Sequence, residues 1–244
     1  MVKRGECREY GERKRMSLYV IGDLHLSLSG EKPMDVFGEK WAGYVERIRE
    51  AFLRLKDEDV VVLAGDTSWG MTLEGAQPDF AFLDALPGKK ILLKGNHDYW
   101  WGTASKMKAF FAEQGFHTFD ILHNNCFFYG DYALCGTRGW FYEKDAEGTH
   151  TGKMLAREAL RLEASFRAAE GRPILCFLHY PPIYQGYQCP ELLELIDRWH
   201  AERCYYGHLH GATHRRAFEG RRSFTDYALI SADYLAFEPK KICD

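Results

Sequence analysis

Apolar residues in this chain collect into short, often β-branched runs, and several of these end abruptly in glycine, aspartate or histidine. Val60-Val61-Val62-Leu63-Ala64 leads into Gly65-Asp66, and Ile91-Leu92-Leu93 leads into Lys94-Gly95-Asn96. Runs of this kind read as strands buried on both faces, with the polar residues at their carboxyl ends. Longer patterned stretches predict helices around Glu39 to Lys56, Asp79 to Leu86, Thr103 to Gln114, Gly152 to Glu170 and Pro190 to Arg203. On the fourth of these, Arg157, Glu158 and Arg161 read as a solvated face. Phe127 to Leu134 reads as a strand pair turning at Gly130-Asp131 and starting a second sheet, to which the alternating stretch from His214 to Ala236 adds strands.

The strand ends carry five motifs in order: Gly22-Asp23-Leu24-His25, Gly65-Asp66, Gly95-Asn96-His97-Asp98, His179-Tyr180 and Gly207-His208-Leu209-His210. Four of the five follow an apolar run. In open α/β sheets binding sites collect at this edge, because loops converge there on rigid strands. Asp23, His25, Asp66, Asn96, His179, His208 and His210 form a mixed nitrogen and oxygen donor set without thiolate, which suits Mn, Fe, Zn, Co or Ni. Two divalent ions and two aspartates leave a positive surplus, suited to a hydroxide and an anionic substrate. Asp23 and His25 are two residues apart, as are His208 and His210, so extended backbone would point each pair to one face. Asn96 is the ligand of its motif, His97 is free to serve as an acid or anion-stabilising group, and Asp98 is placed to orient it and raise its pKa. Singly, a buried histidine is more often a core residue, and Gly-Asp after a strand more often a turn. Together the seven residues reverse that weighting, because burying them without metal would leave costly polar groups.

The D-x-H, G-D, G-N-H-D, H and G-H-x-H series resembles the calcineurin-like metallophosphoesterase superfamily from about Leu18 to Ala236, and the whole chain is similar to a bacterial group of predicted phosphohydrolases. The resemblance implies an α/β fold, a four-layer αββα sandwich of two mixed sheets flanked by helices, with a dinuclear centre at one edge. By position, Asp23, His25, Asp66 and His210 would hold the first ion, and Asp66, Asn96, His179 and His208 the second. His97 would be the catalytic histidine and Asp98 its partner. The expected reaction is in-line attack on phosphorus by a hydroxide bridging the ions. One departure stands out: many members carry a second Asp or Asn shortly after Gly-Asp, where this chain has Thr67-Ser68-Trp69.

Composition narrows the setting. The 244 residues, 46% hydrophobic, suffice for one well-buried domain from residue 17 to 244. Residues 1–16 read as a polar, disordered tail, or as the product of a start site upstream of Met16. A net charge of −3 gives no positive field for nucleic acid, and no apolar run approaches the roughly 20 residues that span a bilayer, so a soluble, cytoplasmic protein is expected. Its seven scattered cysteines read as reduced, although Cys126 and Cys135 are placed to face each other across a hairpin. The expected substrate is a small phosphoester. Arg138, Trp140 and Tyr180 are candidate substrate contacts: Arg138 is balanced between gripping phosphate and a structural role, and packing is favoured over base stacking for the aromatics. Other readings of the same core are a phosphodiesterase acting on a nucleotide, a regulatory protein phosphatase and a non-catalytic metal-binding scaffold.

Overall fold

The computed structural model describes residues 9–10, 16–30, 32, 34–140 and 149–244. The chain divides into two compact units, one built on Lys14–Ile121 with Ile230–Asp244, the other on Leu122–Leu229.

The first unit holds a five-stranded sheet in the order Lys240–Cys243, Leu18–Ile21, Val60–Ala64, Lys89–Leu93, Phe119–Ile121. All neighbours are parallel except the antiparallel pair made by the carboxyl-terminal strand with Leu18–Ile21. Val60–Ala64 is buried along its whole length, as a central parallel strand covered on both faces must be. The expected first helix begins later, at Tyr44, after two short 3-10 turns at Met34–Phe37 and Glu39–Trp41, and ends at Phe52. Gly43 in the left-handed region separates turn from helix, which breaks the continuous pattern expected from Glu39. Helices Gln77–Asp84 and Ala104–Glu113 match the second and third expectations, the latter capped by the Thr103 side chain, which accepts from the Lys106 amide. Phe52, Phe80, Ile48 and Met107 are fully buried in this unit's own core.

The second unit holds a seven-stranded mixed sheet: Glu9–Tyr10, Cys126–Tyr129, Tyr132–Thr137, Ile174–Leu178, Arg203–Tyr206, Thr225–Leu229, Gly220–Arg222. Cys126–Tyr129 and Tyr132–Thr137 form the expected hairpin around Gly130, and the register sets Cys126 opposite Cys135 as free thiols. The two strands between residues 214 and 236 join this sheet, also as expected. Glu9–Tyr10 pairs in parallel with Phe128–Tyr129, giving the expected polar tail one ordered contact; the rest of residues 1–15 lies outside the described residues. Helices Thr149–Arg167 and Pro190–Arg198 flank this sheet over a second core around Phe166, Leu192 and Tyr206. Among the described residues no helix is long and apolar enough to cross a membrane.

Candidate metal centre

Every one of the five motifs follows a strand. The fifth strand, Arg203–Tyr206, carries no apolar run, yet Gly207-His208 leaves its end as Gly65-Asp66 leaves Val60–Ala64.

In the five-stranded unit, two strand-end loops are laced together. The amides of Asp23, His25 and Leu26 donate to the carbonyls of Gly65, Asp66 and Thr67 at 2.8, 2.9 and 3.0 Å. The backbone is not extended here, as the two-residue spacing had suggested: Asp23, His25 and Asp66 have φ of 60°, 47° and 51°. Each left-handed non-glycine residue costs on the order of 1 to 3 kcal/mol and persists only where its surroundings enforce it. The lacing and Asp98 supply that enforcement. The buried Asp98 carboxylate accepts from the amides of Gly95, Thr67, Asp66 and Ser68 and from Trp100 Nε1, at 2.7, 2.8, 2.9, 3.4 and 3.1 Å. The sequence reading set Asp98 behind the His97 ring; these donors give it a further task, pinning one ligand loop to the next. Gly95 is required at this junction, since a Cβ there would fall on the Asp66 carboxylate and amide.

The His97 amide donates to Asp66 Oδ1 at 2.7 Å, and His25 Nε2 lies 3.7 Å from Asp66 Oδ2, so both oxygens of the proposed shared ligand are oriented. The His97 ring lies 4.3 Å from the Trp69 ring, and its Nδ1 meets the Tyr99 hydroxyl at 3.3 Å. Trp69 also stacks on His25 at 5.0 Å and carries Lys32 Nζ at 4.4 Å. The indole is thus packed within its own unit. In the departing Thr67-Ser68-Trp69 segment, Ser68 Oγ donates to Asp79 at 2.5 Å, and Asp79 also accepts from the Leu28 amide at 2.8 Å. Burial raises the Asp79 pKa.

In the seven-stranded unit, Ile174–Leu178 is wholly buried and ends in the fully buried His179. The amides of His179 and Tyr180 both donate to the Arg138 carbonyl, at 3.1 and 2.9 Å, and the Gly207 amide donates to the His179 carbonyl at 3.1 Å. The three strand ends are therefore held side by side. The His179 and His208 rings lie edge to face at 5.2 Å, and Tyr180 lies 4.5 Å from His208. His208 is again left-handed, at φ 71°, whereas His210 is extended and starts the 3-10 turn Gly211–Arg216.

The candidate contacts Arg138, Trp140 and Tyr180 come together in this unit. Arg138 lies 4.8 Å from the Trp140 ring, which lies 5.7 Å from Tyr180. Sequence reasoning missed what holds Arg138. Glu158, assigned to a solvated face, is fully buried; it accepts from Thr137 Oγ1 at 2.6 Å and Arg161 at 2.5 Å, and lies 3.5 Å from Arg138. The period of the long helix carried the signal, since Leu155, Glu158 and Leu162 share one buried stripe. Arg138 Nε and Trp140 Nε1 are buried without an acceptor, two N–H donors close to His179 and His208.

The motifs, their strand-end placement and the sheets converge with the comparisons. A model of the calcineurin-like phosphoesterase family matches residues 16–212, and the chain belongs to that family. Among solved structures it is similar to the phosphopantetheinyl hydrolase of Mycobacterium tuberculosis, at 13% identity and TM-score 0.59, over 93% of this chain and 95% of that one. It is likewise similar to a protein of unknown function from Aquifex aeolicus, at 17% identity and TM-score 0.55, over 93% and 96% of the chains. A Thermus thermophilus protein is similar at 12% identity and TM-score 0.52, over 93% and 98%. At these identities the likeness speaks for the fold. A search of curated proteins found no significant match.

Proposed function

We propose that the protein is a metal-dependent phosphoesterase that hydrolyses a small phosphate ester at a dinuclear centre. One observation carries the reading: all seven candidate ligands leave the carboxyl ends of strands, four of them in left-handed turns within those loops. The donor set fits divalent transition metals, manganese among them, because it mixes carboxylate, amide and imidazole groups without thiolate. From the order of the family's motifs we assign Asp23, His25, Asp66 and His210 to one ion and Asp66, Asn96, His179 and His208 to the other, with Asp66 shared.

When bound, two such ions supply Lewis acidity and lower the pKa of water toward neutrality. The chain's own residues do the rest. The His97 amide fixes the Asp66 carboxylate, and its imidazole, with Nδ1 toward Tyr99, offers Nε2 to a developing oxyanion or leaving oxygen. Arg138 and Trp140 offer N–H donors to a phosphate oxygen, with Tyr180 beside them. The family match across residues 16–212 and the presence of His97 with every ligand argue against a non-catalytic scaffold.

The test is reconstitution of metal-stripped protein with Mn²⁺, Ni²⁺, Zn²⁺ or Mg²⁺, followed by p-nitrophenyl phosphate and bis-p-nitrophenyl phosphate. Metal-dependent release that disappears in Asp66→Asn supports the reading, and the preferred probe separates monoesterase from diesterase. Two ions bound without release from either compound would return the weight to a scaffold.

A further inference from the structure

Two cavities in the seven-stranded unit share two walls. The smaller, about 260 Å³, is lined by Pro181, His208, Leu209 and Thr213 together with Tyr184 and Arg216. The larger, about 670 Å³, is again lined by Tyr184 and Arg216, joined by Tyr187, Arg215 and Phe218. The larger is the size of pockets that hold small organic ligands, roughly 300 to 1,000 Å³. A candidate metal ligand, His208, thus lines the smaller cavity, which has Tyr184 and Arg216 in common with the bigger chamber.

The chemistry of that chamber is one-sided. In a chain of net charge −3, its lining includes two arginines and neither aspartate nor glutamate. Both guanidinium groups are exposed, and among the described residues neither has an ion-pair partner. The contrast lies a few residues on, where Arg221 and Arg222 pair with Asp226 and Asp197 at 3.8 and 2.7 Å. The walls are fixed. Ile183–Tyr184 and Tyr187–Gln188 form an antiparallel pair turning at Gly186, φ 79°, and the Gln185 amide donates to the Arg216 carbonyl at 2.7 Å. Tyr184 also bridges to Ala217, so the hairpin and the arginine segment form one backbone-bonded frame. The Tyr184 and Tyr187 rings, 5.0 Å apart, and Phe218 give the chamber apolar faces beside its positive charge.

We propose that this chamber is a leaving-group subsite for a phosphoester whose leaving alcohol carries a ring and a second anionic group, in chemical class a nucleotide with a further phosphate. Arg215 and Arg216 hold the distal anion, and the tyrosines and Phe218 flank the ring. The assignment rests on the phosphoesterase reading above and names the substrate class for it. It also places recognition in residues 183–188 and 215–218, outside all five motifs.

The test compares adenosine 3′,5′-bisphosphate with adenosine 3′-monophosphate, which differ only in the distal phosphate, on metal-loaded protein. The two are compared by kcat/KM and, in a His97→Ala background that slows turnover, by calorimetric Kd. The account expects a preference for the bisphosphate of roughly tenfold or more, the scale of a charge-assisted hydrogen bond. Arg215→Gln and Arg216→Gln should each reduce it, and the double variant should bring it to within about twofold, while Arg216→Lys retains part. Both side chains are exposed, and circular dichroism of each variant verifies its fold. Equal handling of the two compounds by the wild type, or a preference that survives the double variant, overturns the subsite. Arginine-dependent binding without hydrolysis of any ester would uphold the subsite while sinking the phosphoesterase reading; hydrolysis without preference would do the reverse.

Discussion

The two units carry the same device with different chemistry. Each ends parallel strands in short loops that carry candidate ligands, at least one of them in left-handed backbone. In the five-stranded unit these are the carboxylates of Asp23 and Asp66 with His25 and Asn96, in loops pinned by the five donors to Asp98. In the seven-stranded unit they are the imidazoles of His179, His208 and His210, surrounded by arginines and aromatic rings. On the proposed reading, the first unit would supply charge to the metals and a proton at His97. The second would supply neutral ligands and recognition. Substitution of an assigned ligand in either unit should therefore act on metal content, that of His97 on turnover, and that of the second unit's arginines and rings on KM.

The largest effect is expected from Asp66→Asn. It removes the ligand assigned to both ions, so metal content by mass spectrometry and ester hydrolysis should both fall to background. His97→Ala should cut turnover roughly a hundredfold or more, the range for a lost general acid, with metal content near that of the wild type. Equal loss of metal and activity would show that His97 is itself a ligand. Gly95→Ala should lower metal affinity and thermal stability together, because the new Cβ displaces Asp66. A variant with normal metal content would undo the claim that this close approach orients the shared carboxylate.

In the other unit, Glu158→Ala leaves Arg138 and Arg161 without their buried partner, and breaking such a pair costs about 3 kcal/mol or more. Its unfolding midpoint should drop and its KM for p-nitrophenyl phosphate should rise several-fold, with metal content retained. Metal loss in place of the KM change would make Glu158 part of the ligand frame. The smallest effect concerns Lys90, which is fully buried in the five-stranded sheet, donates to the Leu86 carbonyl and has its pKa pushed down to about 7 by burial. Between about pH 7 and the ordinary lysine value near 10.5 the unfolded chain binds the extra proton. Stability should therefore rise with pH across that window, by up to about 1.4 kcal/mol per unit, and lie at its lower level below pH 7. Denaturant unfolding at pH 7 and 9 checks this, and Lys90→Met should flatten the slope.

Much of this was legible in the sequence because both sheets are mainly parallel. Buried parallel strands read as continuous apolar runs, and the ligands follow directly, as at Val60–Ala64 and Gly65-Asp66. Arg203–Tyr206 escaped that pattern because its tyrosines and arginine disguise a mostly buried strand, so the fifth motif was found by its histidines alone. The spacing argument for Asp23 and His25 assumed extended backbone, whereas the lacing of their loop onto residues 65–67 imposes left-handed turns, a tertiary effect that spacing cannot carry. Glu158 looked like one more charge on a polar helix face; only its partners, Thr137 and the two arginines, show why it is buried. Arg215 and Arg216 belong to no motif and became visible when the 183–188 hairpin folded against them.

The most direct test of the central claim is the metal stoichiometry of reconstituted wild type, Asp23→Asn and His208→Ala, measured by mass spectrometry after removal of free metal. If carboxylates from one unit and imidazoles from the other serve one dinuclear centre, the wild type binds two ions per chain and substitution on either unit lowers that number. A wild type that retains no ion, or a His208→Ala protein that still holds both with unchanged affinity, would contradict the account.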